Sequence, residues 1–200
     1  DPVRVLTNRS SGKQGYALAQ AALDLGAQVT LITAPTALTP PTGARRVAVE
    51  TAKQMLAAVL QESAGSDALI MASAVADFRP KNASRDKLKK ADGIPQVELE
   101  ATEDILKTVA GQRRGEKRPR LVVGFAAESR DLLENAASKL KSKGLDFIAA
   151  NDISAKDAGF AVETNRVTLL FADGRQEALS LMSKAEVAEV ILGRVSKLLE

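Results

Sequence analysis

Short β-branched apolar runs alternate with longer stretches of helical period along almost the whole chain, and that alternation leaves few folds open. The runs are 27–33 (AQVTLIT), 45–50 (RRVAVE), 67–73 (DALIMAS), 119–128 (PRLVVGFAAE) and 146–152 (DFIAAND). The helical patterns cover 14–25, 52–61, 103–111, 131–143 and 183–198. Strands this apolar, each followed by a helix, are covered on both sides. The pattern therefore predicts an α/β fold, a Rossmann-like parallel sheet with helices on both faces. Cap signals mark several helix starts, such as Thr102 before Glu103 and Asp104, and Ser183 before Glu186.

Two segments interrupt the rhythm. Residues 74–96 are rich in lysine, contain proline and show little hydrophobic period, which predicts a long loop. A loop of that length inside a compact domain is a candidate lid or dimerisation segment. Residues 166–181 predict a C-terminal β-hairpin turning at Asp173-Gly174. With 200 residues, 45% of them hydrophobic, the chain supports one core, and 1–200 is expected to form a single domain.

Open α/β sheets bind ligands at the carboxyl ends of their strands. Here those ends are 7–15, 34–35, 72–77, 125–129 and 151–152, which gather most of the unusual residues. Asn8-Arg9-Ser10-Ser11-Gly12-Lys13-Gln14-Gly15 leads into the first helix. A helix start offers unpaired N–H groups and a positive dipole end, and small residues let an anion approach the backbone. A phosphate held by Ser10, Ser11 and the backbone at Gly12 is one reading; a helix start with a solvated cation is the other. The segment is neither a Walker loop nor the dinucleotide G-x-G-x-x-G pattern.

Ala72, Ser73 and Ala74, followed by Asp77, are small enough for a flat ligand to lie on the strand end, or for tight packing. The lysines of 86–90 (DKLKK) are either a solvated run or mobile charges closing over a polyphosphate. Lys139 and Lys143 share a helix face, solvated or turned to a ligand. Phe125 is core or a stacking surface for a base.

The chain has no cysteine and no histidine. That excludes thiolate catalysis, disulfides, most zinc sites and the usual general base. Chemistry must run on Lys, Arg, Asp, Glu, Asn, Ser and backbone dipoles, with Mg²⁺ held mainly by substrate phosphates. A net charge of +3 favours anionic partners, but aromatics make up 3% and Trp is absent, so nucleic acid is not expected. No apolar run nears the roughly 18 residues that span a bilayer. The opening Asp-Pro-Val-Arg is not a leader, so the expectation is a cytoplasmic protein without membrane contact.

Taken together, DPVRVLTNRSSGKQG, ASAVADFRP, KLKK, VVGFAAES and AANDI resemble the phosphopantothenoylcysteine synthetase (phosphopantothenate-cysteine ligase) family, in order and spacing over nearly the whole chain. The resemblance implies a homodimeric ligase of coenzyme A biosynthesis that joins 4'-phosphopantothenate to L-cysteine through an acyl-cytidylate, with CTP and Mg²⁺. It implies Asn8 at the activated acyl group, with Arg4 in the same region and Lys87 on the lid. It implies a nucleotide site from Ser10, Ser11, Gly12, Met71, Ala72, Ser73, Asp77, Glu103, Asp104, Ile105, Leu106, Phe125, Lys139 and Lys143, and contact of Asn151 and Ala74 with the pantothenate substrate. The family carries a further strand with a GGT loop before Asp-Pro-Val-Arg, and bacteria often fuse it to a decarboxylase domain. A competing expectation is an NAD(P)-binding redox or sensor module. Against it, Gln20 stands where a Tyr-x-x-x-Lys pair starting at Tyr16 needs lysine. A basic interaction domain is a blander third.

Overall fold

Along two neighbouring strands successive side chains enter two different cores. Leu121, Val123, Phe147 and Ala149 join one apolar cluster, whereas Val122, Ala126, Ile148 and Ala150 join another. This is the period-two alternation of a strand whose two faces are both covered. The computed structural model describes residues 1–128, 131–152 and 163–200.

In chain order the elements are α1 (Lys13–Asp24), β1 (Thr30–Thr33), β2 (Arg45–Ala48), α2 (Ala52–Ser63), β3 (Ala68–Met71), β4 (Phe78–Pro80), β5 (Leu99–Ala101), α3 (Ile105–Glu116), β6 (Leu121–Glu128), α4 (Leu132–Ser142), β7 (Phe147–Asp152), β8 (Thr164–Asn165), β9 (Val167–Phe171), β10 (Gln176–Ala178), β11 (Met182–Ser183) and α5 (Lys184–Leu199). The main sheet has the order β10-β9-β7-β6-β3. β3, β6 and β7 run parallel, and β9 and β10 complete it antiparallel. The predicted parallel sheet is thus a mixed one, because the C-terminal hairpin lies beside β7. That hairpin turns at Asp173 and Gly174, where Gly174 has φ +90° and Phe171 N–H donates to Arg175 O at 2.9 Å.

β1 and β2 form their own parallel pair, and among the described residues β3 ends the main sheet. Ile32 and Val47 from that pair nevertheless pack on the same cluster as Leu69 and Met71 of β3. Side chains join the two sheets where no ladder does.

The first core lies under α1 and α5. Ser183 and Glu186 form the predicted capping box: Glu186 N–H donates to Ser183 Oγ at 3.2 Å, and Ser183 N–H donates to Glu186 Oε2 at 2.7 Å. Val187, Ala188, Ile191, Leu192 and Val195 then recur at helical spacing and bury one face of α5 against the sheet. Each large side chain so buried contributes about 1.5–3 kcal/mol. The second core takes Met55, Leu56 and Val59 of α2, Ile105, Leu106 and Val109 of α3, and Ala136 of α4.

Two expectations need correction. Residues 74–96 are not wholly loop, since β4 pairs antiparallel with β5, Phe78 opposite Ala101. The partner strand lies outside the segment, so its local pattern carried no sign of the pairing. At α3 the cap is Asp104, whose Oδ1 accepts from Lys107 N–H at 3.1 Å, whereas Thr102 donates to Ala76 O at 2.7 Å and ties α3's approach to the end of β3's loop.

Candidate functional site

The start of α1, the end of β3, the end of β6 and the end of β7 converge on one cleft. It is lined by 10–15, Ala72, Ser73, Ala74, Phe125, Ala126, Ala127, Asn151, Asn165 and Lys184, with a volume of about 140 Å³. Convergence here follows from topology: β3, β6 and β7 are parallel neighbours, so their carboxyl ends share one rim.

The helix start is shaped by Gly12, at φ +73°, a left-handed conformation that a side chain would strain. Gly12 supplies no side-chain cap to α1. Ser10 Oγ accepts from Gly12 N–H and Ser11 Oγ accepts from Lys13 N–H, both at a long 3.4 Å. The turn is therefore held loosely by its own hydroxyls, and the first-turn amides of Gln14 and Gly15 have no carbonyl inside the helix to receive them. An anion in the cleft meets those amides and the positive end of α1.

Among residues expected at the site, Ser10, Ser11, Gly12, Ala72, Ser73, Ala74, Phe125 and Asn151 line this cleft together. Phe125 is at once packed on the first core and part of the cleft wall, so its core reading holds while its ring also meets the cleft. The other expected residues are not among those that line it. Asn8 donates through Nδ2 to Val75 O at 3.1 Å, next to Ala74, which leaves its second amide hydrogen and its oxygen for a ligand. Arg4 donates through Nη2 to Leu88 O at 2.9 Å and through Nε to Asp1 Oδ2 at 2.9 Å. The amino-terminal arm thereby holds the lysine loop, on which Lys87 is exposed.

Asp77 lies just before β4 and accepts Thr102 N–H through its carbonyl at 2.9 Å. Glu103 is exposed, and Asp104 pairs with Lys143 at 3.4 Å. Lys143 caps the end of α4, its N–H donating to Lys139 O at 3.0 Å. Ile105 and Leu106 are 3% and 8% exposed in the second core, and Met71 packs there too. Their side chains are structural, which leaves only backbone to meet a ligand. Ser129, at the end of the 125–129 rim, lies outside the described residues.

Sequence reasoning missed Asn165 and Lys184 in the cleft, and it included Gln14 in the 7–15 loop without giving it a role. β8 and β11 pair antiparallel, Asn165 opposite Met182, and Lys184 N–H donates to Glu163 O at 2.9 Å, which brings the start of α5 against the start of α1. Gln14 Nε2 donates to Lys184 O at 3.1 Å, and Asn165 Nδ2 donates to Gln14 Oε1 at 2.9 Å. Lys184 is 5% exposed; burial pushes its ammonium below the usual lysine range, Lys13 adds to that, and Glu163 opposes it. Glu163 forms an ion pair with Lys13, and the hydrogen bond and charge of Lys13 hold its carboxyl below the ordinary range. A second hollow of about 420 Å³ lies beside this pair, with Tyr16, Leu38 and Thr39 in its wall. Tyr16 is 8% exposed and its hydroxyl is 3.4 Å from Thr33 Oγ1, so it is part of the α1 packing and absent from the wall of the helix-start cleft.

The cleft can thus hold an anion at one end and a hydroxyl or amide N–H at the other, without imidazole or thiol. Among the described residues no group of three His, Cys, Asp or Glu side chains is placed to hold a metal ion, and no helix is long and apolar enough to cross a membrane.

Comparison with known proteins agrees with this architecture. Residues 1–199 match the family model of the DNA/pantothenate metabolism flavoprotein C-terminal domain. The coenzyme A biosynthesis bifunctional protein CoaBC of Bacillus subtilis (strain 168) is 47% identical over 199 residues, which are 99% of this chain and 48% of that protein. The chain spans about half the length of the curated relatives it matches. A crystal structure of the C-terminal domain of a coenzyme A biosynthesis bifunctional protein CoaBC superposes with a TM-score of 0.83 at 42% identity, covering 100% of this chain and 88% of that one. A DNA/pantothenate metabolism flavoprotein from Streptococcus pneumoniae gives a TM-score of 0.81 at 22% identity, covering 98% of this chain and 93% of that one, a likeness of fold.

Proposed function

The chain belongs to the DNA/pantothenate metabolism flavoprotein C-terminal domain family, and from that premise we propose that it is a phosphopantothenate-cysteine ligase of coenzyme A biosynthesis, using CTP. One observation carries the reading: an anion-binding helix start, a strand end of small residues and Asn151 share a single cleft. The relatives' name ties the same architecture to coenzyme A biosynthesis.

In the proposed reaction a carboxylate oxygen of 4'-phosphopantothenate attacks the α-phosphorus of CTP, and pyrophosphate leaves. The L-cysteine amine then attacks the acyl carbonyl, CMP departs and an amide remains. The cleft is too small for a whole nucleoside triphosphate, so it takes the reacting end, while the rest of the nucleotide lies over the rim near Asp104 and Lys143. Charge on the phosphoryl oxygens is offset by the amides at 12–15 and by Lys87, Lys139 and Lys143. Mg²⁺ would arrive on the triphosphate, held mainly by its phosphates. Asn8 stands beside Val75 to hold an acyl or phosphate oxygen.

We further read residues 1–200 as one ligase domain within a longer, cytoplasmic protein that also carries a decarboxylase domain. A strand preceding Asp1 would join β3 to the β1-β2 pair, whose facing edges carry no ladder among the described residues. A homodimer fits the apolar side chains exposed on the arm and the β4-β5 region, including Val5 at 82%, Ile94 at 96% and Phe78 at 55%.

The test is a nucleotide panel (CTP, ATP, UTP, GTP) with phosphopantothenate and cysteine, following pyrophosphate and amide separately. Amide formed with CTP in preference to the others supports the reading. Absence of amide with every nucleotide, in the longer protein as well as this chain, ends it.

A further inference from the structure

Resting on the ligase reading, we infer that Asn165, with Asn151 beside it, forms an acceptor subsite in the helix-start cleft that receives a hydroxyl or N–H donor of a bound substrate. Asn151 and Asn165 are 8% and 3% exposed, both line the cleft, and the side-chain oxygen of each is buried without a hydrogen-bond partner. Asn151 pairs with Val167 in the β7-β9 ladder, and Asn165 lies two residues before Val167, in β8.

The orientation of Asn165 follows from its neighbours. Lys184 O can only accept, so Gln14 must turn its NH₂ group towards it, at 3.1 Å. Gln14 Oε1 then faces Asn165 and needs a donor, which Asn165 Nδ2 supplies at 2.9 Å. The Asn165 oxygen is what remains, and a backbone carbonyl at the far end of the relay forbids the opposite arrangement. Gln14 is therefore a positioning residue, and Asn165 presents an acceptor of fixed polarity.

A buried acceptor left without a donor carries the desolvation penalty with nothing to offset it. A phosphate oxygen cannot relieve it, being an acceptor itself. The cleft thus separates into an anion end, at the amides of 12–15, and an acceptor end, at Asn151 and Asn165. It suits a ligand with a hydroxyl or N–H near an anionic group. CTP carries ribose hydroxyls and a base amine; phosphopantothenate carries a hydroxyl and amide N–H groups. The shared chemistry is the neutral donor, and the experiment separates the two sources.

Dissociation constants for CTP and for phosphopantothenate are measured separately on wild type and Asn165→Leu, alongside circular dichroism and the melting temperature. The expected result is a loss of about tenfold for one ligand, with the other within twofold, the scale of one lost hydrogen bond. If CTP is the donor, either a deoxy-CTP or UTP loses the same factor on wild type and nothing further on the variant. If phosphopantothenate is the donor, its deoxy or N-methyl analogues behave so. A folded variant that binds both ligands within twofold of wild type overturns the inference. Should Asn165→Leu not fold, the analogues on wild type decide alone, and losses under twofold throughout overturn it. Failure of the ligase reading is recognised separately, as wild type without amide product in the nucleotide panel.

Discussion

The Arg4 guanidinium donates to the carbonyl of Leu88 at 2.9 Å, and Asp1 Oδ2 accepts the Leu88 N–H at 3.2 Å, so arm and lysine loop are tied at one residue from both sides. Arg4→Gln is expected to release the loop around 86–90. Limited proteolysis with trypsin should then cut there several times faster, with the melting temperature nearly unchanged. Equal cutting rates would show that the tie does not restrain the loop.

Lys87 is exposed on that loop, where a mobile ammonium suits a triphosphate. Lys87→Gln should slow pyrophosphate release about 10²–10³-fold, the range seen when one stabilising donor is removed. Stability should not change. A normal rate of pyrophosphate release would remove Lys87 from the reaction.

Asn8 spends one amide hydrogen on Val75 O, at 3.1 Å. Asn8→Asp replaces that donor with a charge that repels both Val75 O and an acyl-phosphate. Amide formation should fall by at least tenfold, read by product assay under saturating CTP. Retention of the wild-type amide rate would show that Asn8 does not hold the activated group.

Gly124 lies where β6 passes Leu145, and a Cβ built there would stand 2.6 Å from Leu145 Cδ1. Leu145 is 4% exposed and has little room to yield. Gly124→Ala is expected to destabilise by about 1–3 kcal/mol, the usual cost of overpacking. Urea denaturation checks this, and an unchanged midpoint would mean that Leu145 has an alternative rotamer.

Glu177 accepts two hydrogen bonds from Arg194, at 2.9 and 2.6 Å, and these hold its carboxyl below the ordinary range. A depressed acid stabilises the fold above its unfolded pKa and loses that contribution as pH falls through the folded one. The pair is about a third exposed, so Glu177→Gln should cost only about 0.5–1 kcal/mol at pH 7. The difference from wild type should shrink as pH drops below about 4.3. A gap that stays constant down to pH 3 would mean that packing, and not the charge, is what the variant lost.

Much of this architecture can be read from local pattern, and the remainder depends on encounters between distant segments. The β6 and β7 runs announce themselves by length and β-branched content, and Ser10 to Gly12 by small residues ahead of a helical period. The β4-β5 and β8-β11 pairs are two or three residues long, too short to carry a period, and exist because another part of the chain arrives beside them. Phe125 and Asn151 were legible in the carboxyl halves of their strands. Asn165 was not, because its role comes from Gln14, which the Lys184 carbonyl orients in turn, and neither is near it in sequence. Ile105 and Leu106 show the converse: a helix start next to a site still needs two side chains to anchor it in the core.

The β1-β2 ribbon meets the rest of the molecule through side chains, Ile32 and Val47 in the second core, Thr33 against Tyr16 and Arg45 paired with Glu62, and among the described residues it shares no backbone ladder with β3. Apolar contact gives way gradually, whereas a ladder yields all at once, so in residues 1–200 taken alone cooperativity should be interrupted at that seam, which a preceding strand would close. Amide exchange would reveal two tiers of protection, shallow in the ribbon and deep in β6 and β7, and the floor of the cleft at 72–74 sits on the boundary between them.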